Sequence, residues 1–179
     1  GTHPGPAGNA IAAEMVGNLL QSAWSKPAGR AAKDHPMPGA VIDKGSYFNG
    51  AFLSPAGSVN VDWKWQVPNW KEIPGGFRGT FAGMKLLRAE QPERETSLQF
   101  KGRALGAYVL AGPDAGIIEV SIDDGAWKRV DLYHRYSRGL HYPRTVMFAV
   151  DLEPREHTAR LRMAKESNPA SKGTAARIL

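Results

Sequence analysis

The 179-residue sequence contains no cysteine. Disulfides, thiolate nucleophiles and zinc–thiolate sites are therefore excluded, and no redox compartment is indicated. Long apolar runs are missing too: none nears the ~20 residues that carry a helix across a bilayer. The sequence reads as soluble, with no membrane partner expected. No basic–apolar–small cleavage pattern opens it, so its localisation stays open. Repeats with periods of roughly 20–50 residues and low-complexity tracts are lacking. No cofactor fingerprint is present, and no cofactor is expected. A metal is not expected either, because His134 and His141 have no carboxylate at a useful spacing beyond Asp131.

What is present is an ordinary globular composition, 42% hydrophobic and 22% charged, enough for one good-sized core. The net charge is +6 and the pI near 9.7, which raises the question of a nucleic-acid partner. The basic residues, however, are spread along the chain. The densest stretch, Lys128 to Arg144, also holds Asp131, Tyr133, Tyr136 and Tyr142. Without clustering on one face or a recognised motif, no nucleic-acid partner is expected.

Three segments differ in periodicity. Residues 1–26 predict a loop and then a helix over about 6–24, with Gly5 as cap and Pro6 at the first helical position. Ile11, Met15 and Leu19 form an apolar stripe, opposed by Glu14, Asn18 and Gln21. Such a helix needs a partner surface, either another part of the protein or a second copy. Residues 27–44, with Pro27, Gly29, Pro36, Pro38 and Gly39, predict a linker or strap. From Gly45 the period becomes two. Leu98 and Phe100, Ile118 to Ile122, and Ala159 to Met163 alternate with polar residues, as half-buried strands do, and Val146, Phe148 and Val150 repeat the spacing. Asp123-Asp124-Gly125 predicts a tight hairpin in which Gly supplies a positive φ. Ala111 to Asp114 and Glu153-Pro154-Arg155 mark further turns. The fold class expected is mainly β: an antiparallel two-sheet, jelly-roll-like β-sandwich over about 45–179, preceded by one amphipathic α-helix.

Two sets of residues carry a resemblance. Thr2-His3-Pro4, then Gly5-Pro6-Ala7-Gly8 and the helix, resembles the last block of SGNH (GDSL-like) ester hydrolases. There an Asp-x-x-His-Pro stretch opens the final helix of the α/β domain. The segments 45–50, 111–123, 137–143, 151–157 and 168–173 are similar to the β-sandwich that follows the hydrolase domain in a group of bacterial GDSL-type esterases. Ala176 stands where many of those relatives are expected to carry cysteine. The resemblance implies residues 1–26 as the end of a hydrolase domain, 27–44 as linker or strap, and 45–179 as a sandwich accessory domain. It implies His3 as the general base of a Ser-His-Asp triad. The orienting Asp would fall before Gly1, and the family's serine, glycine and asparagine blocks are not in the sequence. The expectation is the C-terminal part of an esterase acting on acyl, in the first place acetyl, esters of carbohydrate. The rest of the hydrolase domain would be its partner, and this chain alone would be inactive. A self-standing carbohydrate-binding module and a purely structural sandwich are the alternatives.

The residues can be weighed apart from the resemblance. Tyr136, Arg138 and His141 are the candidate substrate-binding residues, because rings and guanidinium forks suit sugars and active-site rims. The same stretch also reads as a structured connection with packed tyrosines and solvated arginines. Trp63, Trp65 and Trp70 around Pro68 form a stacking platform or part of the core, and alternation favours the core. Asp114 and Asp123-Asp124 read as turn residues rather than an acid pair.

Overall fold

A computed structural model describes residues 3–26, 39, 43, 46 and 49–179. The chain divides into two units, residues 1–46 and 47–179. In the first, helix α1 spans Pro6–Trp24, with Gly5 in extended conformation as its N-cap and Pro6 at its start. None of its residues is buried, and Met15, Leu19 and Trp24 are 68%, 70% and 75% exposed. Most of the predicted linker lies outside the described residues, as do Gly45, Tyr47 and Phe48.

The second unit is a β-sandwich. Its strands are β1 (Lys64–Gln66), β2 (Leu86–Ala89), β3 (Glu95–Gly102), β4 (Leu105–Ala111), β5 (Ile117–Ile122), β6 (Lys128–Asp131), β7 (Tyr142–Ala149), β8 (Arg155–Met163) and β9 (Ala176–Ile178). One sheet has the order β1-β2-β9-β4-β7, the other β3-β8-β5-β6. Every strand pair is antiparallel. The period-two pattern sets the register. Val120 of β5 stands opposite Leu161 of β8, and Leu98 of β3 opposite Ala159, and this face of the four-stranded sheet meets Leu105, Ala107, Val109 and Val146 of the other sheet in one core. That core holds Trp63, Phe100, Ile118, Val120, Leu161 and Met163. Each large side chain withdrawn from water contributes about 1.5–3 kcal/mol.

The five-stranded sheet is also covered on its other face. Leu86 and Leu110 point away from the main core and pack with Phe81, Trp70 and Leu179. Trp63 is wholly buried and Trp65 is packed against the core, as alternation predicts. The indole N–H of Trp63 donates to the Arg94 carbonyl at 2.9 Å.

The hairpin after β5 forms where expected, closed by the Gly125 N–H on the Ile122 carbonyl at 2.9 Å. The left-handed residues, though, are Asp123 (φ 50°) and Asp124 (φ 59°), the two central positions of the turn. Aspartate tolerates this region because its short side chain hydrogen-bonds nearby backbone. Asp123 does so, accepting from the Thr158 N–H at 2.9 Å.

Candidate functional site: an aromatic and arginine-rich depression

Where β6 ends, the chain enters a short 3₁₀ turn, Arg135–Arg138. His134 caps it: its Nδ1 accepts from the Tyr136 N–H at 3.3 Å, while the His134 N–H donates to Ser137 Oγ at 3.1 Å. Ser137 is buried, so the turn is anchored from below and its larger side chains project outward. The His134 ring stacks on Tyr142 at 4.9 Å and 13°. Tyr136 meets both rings, at 5.1 Å from His134 and 5.2 Å from Tyr142. The guanidinium of Arg135 lies 4.8 Å from the centre of the Tyr136 ring, within cation–π range.

Beside this cluster is a shallow depression of about 520 Å³, lined by Tyr133, His134, Arg135, Arg138, Asn168 and Ala170. One residue ties its two walls together. Asp131 accepts from the Tyr133 N–H at 2.9 Å through one oxygen and from the Asn168 amide at 2.7 Å through the other. Asn168 in turn accepts from the Ala170 N–H at 2.9 Å. Arg144 donates to the Tyr133 carbonyl at 3.2 Å.

The candidate residues therefore separate. Arg138 lines the depression, and Tyr136 belongs to the aromatic cluster next to it, half exposed. His141 is elsewhere in its environment, with no exposed surface. Its Nε2 donates to the Pro74 carbonyl at 3.1 Å, and its Nδ1 is buried with no partner. The ring packs edge-on against Trp70, which stacks on Phe77. Burial and then the positive charge of Arg177 hold the His141 pKa below the ordinary value, so the ring is neutral.

Arg177 belongs to a buried ion pair that sequence reasoning missed. Its two terminal nitrogens donate to the two oxygens of Asp114 at 2.8 and 2.6 Å. Burial is the largest single influence on Asp114 and pushes its pKa up. The hydrogen bonds and charge of Arg177 outweigh it, leaving a lowered value. A second knot joins Asp123, Arg155 and His157. Asp123 takes His157 Nδ1 at 2.8 Å and Arg155 at 2.7 Å. His157 Nε2 donates to the Glu153 carbonyl at 2.8 Å. Asp114 and Asp123 are thus turn residues that also anchor ion pairs. His3 is exposed, with no hydrogen-bond partner among the described residues.

No family model matches the sequence, and no curated protein matches it. Solved structures do match. The fold resembles part of a two-domain esterase. That enzyme is described as active on acetylated mannans and is seen in two crystal structures, one of them with mannopentaose. The matches have TM-scores of 0.66 and 0.62 at 16% sequence identity. They cover 98% of this chain but only 46% and 45% of the esterase. The chain therefore spans less than half the length of this structural neighbour. Among the described residues, no helix is long and apolar enough to cross a membrane.

Proposed function

We propose that this chain is the C-terminal part of an SGNH-type ester hydrolase that removes acyl groups, chiefly acetyl, from carbohydrate. In this reading His3 is the general base of a Ser-His-Asp mechanism, and the sandwich is an accessory domain that holds the glycan. The observation that carries the proposal is the extent of the fold likeness. It takes in 98% of this chain, helix-bearing segment as well as sandwich, within a protein that is a two-domain esterase. The exposed apolar side chains of α1 add support, since a helix of this kind is stable when a larger body covers it. The depression supplies rings and guanidinium groups suited to sugar hydroxyls and ring faces, with Arg138 on its wall and Tyr136 beside it. His141 takes a supporting role, holding residues 139–143 against Pro74 from within.

The chemistry assigns each part a task. A serine hydroxyl attacks the ester carbonyl, the imidazole takes its proton, and a carboxylate orients the imidazole. This chain offers the imidazole alone. It should hydrolyse an activated acetyl ester no faster than free imidazole does. In the full-length protein, His3→Ala is expected to lower kcat by several orders of magnitude on acetylated mannan. What remains would be the roughly 10³–10⁴-fold over water that oxyanion stabilisation and binding leave behind. A full-length variant that retains most of its turnover would refute the role given to His3.

A carbohydrate-binding module without catalysis is the second reading, favoured by the depression. Full-length protein that binds mannan oligosaccharides but releases no acetate from acetylated mannan would select it.

A further inference from the structure

We infer that the depression between residues 133–138 and 168–170 is a binding site for an acidic sugar, one bearing a carboxylate. The inference rests on where charge is left over. Seven described arginines are ion-paired with carboxylates, among them the buried Arg177 and the surface residues Arg129 and Arg162. Arg135, Arg138 and Arg144, all on or beside the depression, are in none of these pairs. The other arginines on the strands are paired with carboxylates, and those of this depression are not.

No carboxylate lines it, and Asp131, which braces the two walls from outside the lining, is committed elsewhere. Asp131 spends one oxygen on the Tyr133 N–H and the other on the Asn168 amide. It thereby fixes the gap between the two walls and leaves Arg135, which donates to the Tyr136 hydroxyl at 3.0 Å, and Arg138 without a carboxylate partner among the described residues. Arg144 is turned to the Tyr133 carbonyl, which adds positive potential and a further brace. Guanidinium groups held without a counter-ion are receptors for a carboxylate, which they bind through charge-assisted, bidentate hydrogen bonds.

The remaining lining selects the class of anion. Tyr133 and His134 line the depression, and the second of these is clamped by its stack on Tyr142 and its bond to the Tyr136 N–H. Nδ1 accepts that bond, which leaves Nε2 as the ring nitrogen available to a sugar hydroxyl. Rigid rings next to paired cation forks fit a pyranose with an acid group better than a small inorganic anion. This deepens the proposed function by naming an acidic glycan, and it can fail while that reading stands.

The test is calorimetric titration of the full 179-residue chain with trigalacturonate, compared with its carboxyl-reduced form and with mannopentaose. Trigalacturonate should bind more tightly than either neutral sugar, and its binding should weaken as salt rises. The double variant Arg135→Gln/Arg138→Gln should weaken it about tenfold or more, the scale of one charge-assisted contact. Arg103→Gln, an exposed arginine outside the site, should leave it unchanged. Equal or tighter binding of the neutral sugars would overturn the inference, as would no loss in the double variant with its circular dichroism intact. Tighter binding of a single-stranded oligonucleotide, abolished by the same double variant, would assign the charge to nucleic acid and overturn it as well. Failure here with acetate release from acetylated mannan by the full-length protein would leave the esterase reading untouched.

Discussion

His141 and His157 are both buried, and each has an aspartate and an arginine close to it. They nonetheless titrate in opposite directions. Around His141, the arginine takes both oxygens of the aspartate, and the imidazole is left with one carbonyl and an unpartnered nitrogen. Burial then dominates and the ring stays neutral. Around His157, each ring nitrogen faces an acceptor. The Glu153 carbonyl is the larger influence and the Asp123 carboxylate follows, so its pKa rises. The same three residue types give a neutral ring in one place and a charge-favouring one in the other. Which atoms the arginine occupies makes the difference.

The sharpest way to break this contrast is to remove the arginine that monopolises its carboxylate. Arg177→Met leaves Asp114 partly buried without its counter-charge and should destabilise the sandwich by about 3–5 kcal/mol in urea unfolding. Adding Asp114→Leu should recover most of that loss, because a well-packed apolar pair avoids the desolvation that the ion pair had to overcome. If the double variant is no more stable than Arg177→Met alone, the pair is not the unit described here.

A smaller effect is expected from Gly112→Ala. A Cβ there would collide with Cε1 and Nδ1 of the His141 ring. The ring cannot retreat without losing its bond to the Pro74 carbonyl. Overpacking of this kind costs about 1–3 kcal/mol. The penalty should shrink in a His141→Ala background, where the ring is gone. An equal penalty in both backgrounds would show that the ring is not what excludes a side chain at residue 112.

These knots also mark how far the sequence could be read. Strands β3, β5 and β8 are legible because each alternates apolar core residues with polar ones, which prints a period of two. Strand β4 does not print that period throughout. Its Leu105, Ala107 and Val109 enter the main core while Leu110 fills the second cluster, so alternation is lost by Leu110. Strands β2 and β9 are short, and β2 likewise sends Leu86 and Leu87 to opposite clusters. The depression was partly legible, since Tyr136 and Arg138 mark the turn that forms one wall. The Asn168 wall was not, because it is joined by a hydrogen bond across 37 positions. The Asp114–Arg177 pair spans 63 positions and left no local trace. His141 falls in a polar stretch and gave no sign of complete burial.

The smallest effect is the most direct test of the two histidines, because they should shape opposite limbs of the stability–pH curve. His141 has a folded pKa below the ordinary 6.5. Below pH 6.5 the unfolded chain therefore takes up a proton that the folded one refuses, and stability falls as pH drops. His157 has a folded pKa above 6.5. Its contribution is complete below that value and fades as pH rises toward the folded pKa. From these two rings, thermal stability should be greatest near pH 6.5 and decline gently on both sides. Asp123 adds a later loss: the Thr158 N–H, His157 and Arg155 hold its pKa at about 2, so its share disappears as pH falls from 3.8 towards that value. His141→Gln should flatten the limb just below pH 6.5 and leave the alkaline limb in place. His157→Gln should flatten the alkaline limb instead. Melting temperatures across pH 5–8 decide the matter, read as changes of slope so that any overall loss of stability drops out. If both variants flatten the same limb, the opposite charge states assigned to the two histidines are wrong.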